Sequence, residues 1–120
     1  MRGEQILKVV FFRSESGREP VRQWLLELDR DDRKAIGEDI KLVQFRWPLG
    51  LPLVRKISAD LWEVRSHLSS GRIARVFFTI AGNEIALLHG FIKKSQKTPK
   101  QDLGVAQERQ ALWLRNQDLT

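Results

Sequence analysis

At 120 residues the chain can form one domain with a core of its own, and its lack of cysteine excludes disulfide frameworks, thiol nucleophiles and thiolate metal sites together. A net charge of +6, from 21 basic and 15 acidic side chains, points to an anionic partner. No apolar run approaches the roughly 20 residues that span a bilayer, so a soluble, unexported, cytoplasmic protein is expected.

Residues Ile6 to Phe12 are rich in β-branched and aromatic side chains and run into the turn-like Ser14-Glu15-Ser16-Gly17, which predicts a first, largely buried strand. Pro20 suits the first turn of a helix, where its missing N–H costs nothing. Val21, Trp24, Leu25 and Leu28 then recur at helical spacing as one apolar stripe. Asp29 and Asp31 are good residues for a helix start, and Ala35, Ile36, Ile40 and Val43 form a second stripe. It stops near Trp47-Pro48, because proline disfavours a helical residue before it. The two stripes predict a helical hairpin.

Beyond the Pro48-Leu49-Gly50-Leu51-Pro52 loop the periodicity becomes extended. Val54 to Ile57 is a short lead-in, and 61–68, 72–80 and 84–92 are three strands of an antiparallel meander, separated by Ser69-Ser70-Gly71 and Gly82-Asn83. Thr98, Pro99 and Gln101 fit the N-cap, N1 and N3 positions of a last helix running towards Trp113, with a weak apolar stripe. The predicted architecture is α+β, with helices packed on a small curved antiparallel sheet.

The charge is concentrated. Residues 61–100 hold seven basic and two acidic side chains, a net +5 of the total +6, and four lysines fall within Lys93 to Lys100. Along the strands Trp62, Val64, Ala74, Val76 and Phe78 share one face, and Glu63, Arg65 and Arg75 share the other. A tight hairpin sets Arg65 opposite Arg75, two like charges that need an anion or an acid between them. Glu63 can supply the acid internally; a phosphate is the alternative. His89 is ambiguous. A two-residue loop at Gly82-Asn83 pairs Arg75 with Gly90 and sends His89 to the side of Val76, whereas a one-residue bulge sends it opposite Arg75.

Two histidines, no thiols and acids set mostly on the helices disfavour a metal site, and the G-x-S-x-G, P-loop and Rossmann patterns are absent. No cofactor is expected. Cations with one or two proton carriers suit metal-free cleavage of an RNA phosphodiester. A base helps the 2′-hydroxyl attack phosphorus, cations stabilise the added charge, and an acid protonates the leaving 5′-oxygen. Arg75, His89, Lys93 and Lys94 are the catalytic candidates; Lys56, Arg65, Arg72, Lys97 and Lys100 are the RNA-binding candidates.

The segments Leu61-Trp62-Glu63-Val64-Arg65, Arg72 to Phe78, and Leu87-Leu88-His89-Gly90-Phe91-Ile92-Lys93-Lys94 with Gln96-Lys97-Thr98-Pro99 resemble the HigB-like, phage-related branch of the RelE/ParE toxin superfamily. The resemblance implies a single RelE/ParE-like domain over 1–120 and the toxin of a type II toxin–antitoxin pair. It further implies ribosome-dependent cleavage of messenger RNA, hence translation inhibition, and a helix-turn-helix, HigA-like antitoxin. Arg75 matches the strand arginine used near the scissile phosphate, and Lys93 and Lys94 match basic residues after the last strand. Without a tyrosine in the chain, Phe77 or Phe91 can stack on a base but cannot deliver a proton. A ParE-like gyrase inhibitor and a non-catalytic RNA-binding module are the alternatives.

Overall fold

A computed structural model describes residues 6–93 and 99–118. The elements run β1 (Lys8–Phe11), α1 (Pro20–Glu27), α2 (Arg30–Arg46), β2 (Val54–Ser58), β3 (Leu61–His67), β4 (Ile73–Ala81), β5 (Glu84–Lys93) and α3 (Lys100–Asp118). This is the α+β order expected. Among the described residues no helix is long and apolar enough to cross a membrane.

The strands form one five-stranded sheet in the order β1-β5-β4-β3-β2. β2 to β5 are the antiparallel meander, and β1 joins it parallel to β5. β1 is less buried than its composition predicts, with Lys8 exposed and Val9 to Phe11 half-buried. An edge strand has a neighbour on one side only, which accounts for this.

Strand alternation divides the sheet into two faces, and each is covered. On one, Val64, Ala74, Val76, Phe78 and Leu87 pack with Val21 of α1 and Ile36, Ile40 and Val43 of α2. The helical stripes read from sequence are therefore core. The helices do not simply pair with each other: α1 lies against β5 and β1, and α2 against β3. Arg33 near the start of α2 donates to the carbonyls of Leu25, Leu26 and Leu28 at 3.2–3.5 Å, tying α2 to the carbonyl end of α1. Asp29 is the N-cap of α2 but makes no side-chain cap bond.

The opposite face is the unexpected one. Leu61, Phe77, Ala86, Leu88 and Phe91 form a second core with Phe12 and with Ala106 and Trp113 of α3. Two inward residues seven apart suffice to seat a helix whose stripe reads as weak, because they lie two turns apart on one side. Gln110 also donates to the carbonyls of Ala59 and Asp60, fastening α3 over the β2–β3 turn. The Pro99 carbonyl accepts the Leu103 amide at 3.1 Å and the helix begins at Lys100. The helix start expected near Pro99 is thus met to within one residue; the expected Thr98 cap lies outside the described residues.

Candidate functional site

The β3–β4 pairing places Arg65 directly opposite Arg75, as the tight hairpin predicts. On the other side of β3, Arg55 of β2 pairs with Glu63. Period-two alternation then brings Arg55, Glu63, Arg65 and Arg75 to one face. The Glu63 carboxylate is the hub, with Oε1 at 3.5 Å from Arg55 and 4.0 Å from Arg65, and Oε2 at 3.8 Å from Arg75.

Burial sets the character of this cluster. The side chains of Glu63 and Arg75 are 0% exposed, while Arg65 and Arg55 are 19% and 38% exposed. The network of Glu63 with arginines read from sequence exists, but it is a buried one because α3 and its apolar partners turn this face of the sheet into interior. Burial raises the Glu63 carboxyl above its ordinary value, against the pull of Arg55, Arg75 and Arg65. Burial likewise lowers Arg75, opposed by Glu63 and reinforced by Arg65 and Arg55. A guanidinium this basic stays charged all the same.

A bulge decides the place of His89. Near the Gly82-Asn83 turn Phe78 pairs with Leu87, but Phe77 pairs with His89, so Leu88 is an extra residue in β5. His89 is thereby moved off the Val76 side and onto the face of Arg75 and Phe77. It does not come opposite Arg75, whose partner is Phe91, because the inserted residue is in β5 rather than β4. The His89 ring stacks with Phe77 at 6.4 Å and with Phe91 at 6.0 Å between centroids. Its Nε2 lies 2.7 Å from Oδ1 of Asp102 in the first turn of α3.

Gly90 has a different task. A Cβ there would run into the Trp24 indole, 2.6 Å from Cε3, so the glycine lets α1 close on β5.

The remaining candidates scatter. Arg72 is turned to Asp32 of α2 in a bidentate pair at 2.9 and 3.0 Å, and also donates to Ser69. Donating to the Asp32 carboxylate raises the Arg72 guanidinium above its ordinary value. Lys56 pairs with Trp62 and lies on the opposite side of β2 from Arg55, exposed and away from the cluster. Lys93 is paired in the backbone with Ile73. Lys100 is exposed at the start of α3. Lys94 and Lys97 lie outside the described residues. Sequence reading missed Arg55 and Asp102: alternation against Glu63 pointed to Arg55 only once the β2 register was known, and nothing local linked Asp102 to His89.

Residues 23–111 match the model of the family described as phage derived protein Gp49-like (DUF891). The chain is 32% identical over 108 residues to a protein named "Probable endoribonuclease HigB1" from Mycobacterium tuberculosis, strain CDC 1551 / Oshkosh, covering 88% of this chain and 83% of the relative. The protein of the same name from strain ATCC 25618 / H37Rv matches with the same identity and coverage.

Proposed function

Because the chain belongs to the Gp49-like family of phage-derived proteins, as a HigB-like member of the RelE/ParE toxin superfamily, we propose that it is the toxin of a type II toxin–antitoxin pair and cuts messenger RNA on the ribosome without a metal. The observation that carries this reading is the convergence of Arg55, Arg65 and Arg75 on Glu63, with His89 on the same face. Three guanidinium groups around one carboxyl group leave a net charge of at least +2. A phosphodiester carries one negative charge and gains a second as the 2′-oxygen adds to phosphorus, so such a cluster favours the transition state over the ground state.

Contact with RNA falls to the reachable members. Arg65 and Arg55 meet the phosphate, and Arg75 adds its charge from beneath them in a medium that screens little. Lys93 and Lys94 extend the phosphate contact, and Lys97 and Lys100 give a weaker, salt-screened attraction to ribosomal or messenger RNA. Arg72, engaged by Asp32, holds the β3–β4 turn on α2 instead. His89 is the proton carrier to the leaving 5′-oxygen. The partners are the ribosome, its message and a helix-turn-helix antitoxin of the HigA kind.

Inducing the chain in bacteria and mapping broken messages tests this reading. Cleavage inside translated regions is the expected result. DNA damage with intact messages would instead make the chain a gyrase inhibitor, and RNA binding without cleavage a non-catalytic module.

A further inference from the structure

His89 reaches the arginine face with its ring already constrained on several sides. Phe77 and Phe91 stack on it at interplanar angles of 12° and 28°, which fixes the ring plane. Asp102 approaches one nitrogen, Nε2, in the ring's own hydrogen-bonding range. A carboxylate only accepts, so that nitrogen must carry the hydrogen. The two side chains are 19% and 20% exposed, sheltered enough for the pair to matter and open enough for the ring to meet a substrate. His89 also borders a cleft of about 180 Å³ with Pro20, Val21, Trp24, Gly90 and Arg109. Arg109 is itself tied down, donating to the Leu88 carbonyl at 2.8 Å.

Building on the nuclease reading, we propose that Asp102 is the positioning residue of His89: it holds the Nε2–H tautomer and leaves Nδ1 as the nitrogen that exchanges a proton with RNA. In the cleavage step the 2′-oxygen forms a bond to phosphorus while the bond from phosphorus to the 5′-oxygen breaks. The 2′-hydroxyl proton passes to solvent water, and the leaving 5′-oxygen takes the Nδ1 proton of the imidazolium. Asp102 keeps the other ring proton in place and balances the charge while the imidazolium exists. The products are a 2′,3′-cyclic phosphate and a free 5′-hydroxyl. Through this contact the start of α3 takes part in the chemistry as well as in the core.

The test uses the full chain with two readouts. Nitrogen-15 spectra of the histidines should show wild-type His89 as the Nε2–H tautomer and a redistribution towards Nδ1–H in Asp102→Ala. In single-turnover cleavage of ribosome-bound message, Asp102→Ala should lower the rate roughly 100-fold with little change in the concentration at half-saturation. Asp102→Glu should recover part of that loss, and adding Asp102→Ala to His89→Gln should cost nothing further. A merely structural tie would instead lower thermal stability without a tautomer change or a selective rate loss. Wild-type cleavage with an Asp102→Ala rate equal to wild type overturns this role alone. Wild-type protein that leaves every message intact removes the nuclease reading, and this role with it.

Discussion

Arg65 and Arg75 face each other directly across β3 and β4, two like charges set side by side, and the buried carboxylate of Glu63 lies within 4.0 Å of both. One buried acid thereby stands among three cations. The same cations can hold a phosphate, which links the fold of this region to its proposed function.

Arg75→Ala removes one partner of a buried pair and leaves Glu63 without its fully buried counter-charge. Such truncations cost about 3–5 kcal/mol, and Arg55 and Arg65 should keep this one near the lower end. Urea denaturation measures the loss. Growth arrest must then be read on a variant that stays folded: Arg75→Lys keeps the charge and should retain most stability and, since Arg75 acts from beneath through its charge, most message cleavage. A loss of roughly ten-fold or more in message cleavage by folded Arg75→Lys would mean that the guanidinium itself meets the phosphate.

Glu63 gives stability a pH dependence of known sign. Its carboxyl is raised from the ordinary 4.5 by burial, against Arg55, Arg75 and Arg65. The folded chain therefore holds this proton more tightly than the unfolded chain. The resulting stability is fully present below the ordinary value and is lost as pH rises through the raised one. Melting curves of wild type and Glu63→Gln, taken from mildly acidic to neutral pH, should converge on this basis: the wild type starts ahead and loses its lead. A constant offset between the two would place the carboxyl at its ordinary value.

Arg72 should behave as a structural residue. Arg72→Ala and Asp32→Ala are each expected to lower the urea midpoint, and the double variant should fall no further than the worse single, because all three remove the same bidentate pair. Message cleavage per folded molecule should be unchanged. A selective loss of cleavage in Arg72→Ala, with the midpoint intact, would return this arginine to the RNA surface.

Gly90→Ala puts a methyl group where Trp24 already sits. Overpacking of this kind costs about 1–3 kcal/mol. Thermal unfolding should show that loss, and Trp24→Leu should relieve part of it in the double variant although it is destabilising alone. Additive losses would mean that Gly90 serves the backbone and not the indole.

The sequence by itself determined what depends on neighbours along the chain. Element order, the two helical stripes and the extended periods of β3 to β5 follow from hydrophobic spacing and turn chemistry. The opposition of Arg65 and Arg75 follows from a short turn and period-two alternation. The motifs within residues 61–100 also carried the family. What only the tertiary structure decided depends on segments brought together from afar. One extra residue in β5 moved His89 from one face of the sheet to the other, a shift that leaves no mark in composition. The register of β2 chose Arg55 over its neighbour Lys56. The docking of α3 through Ala106 and Trp113 turned the second face of the sheet into interior, which buried Arg75 and Glu63 and brought Asp102 to His89. The α3 contacts join residues distant along the chain and the two strand registers turn on single-residue shifts, so burial and partner choice could be settled only by packing.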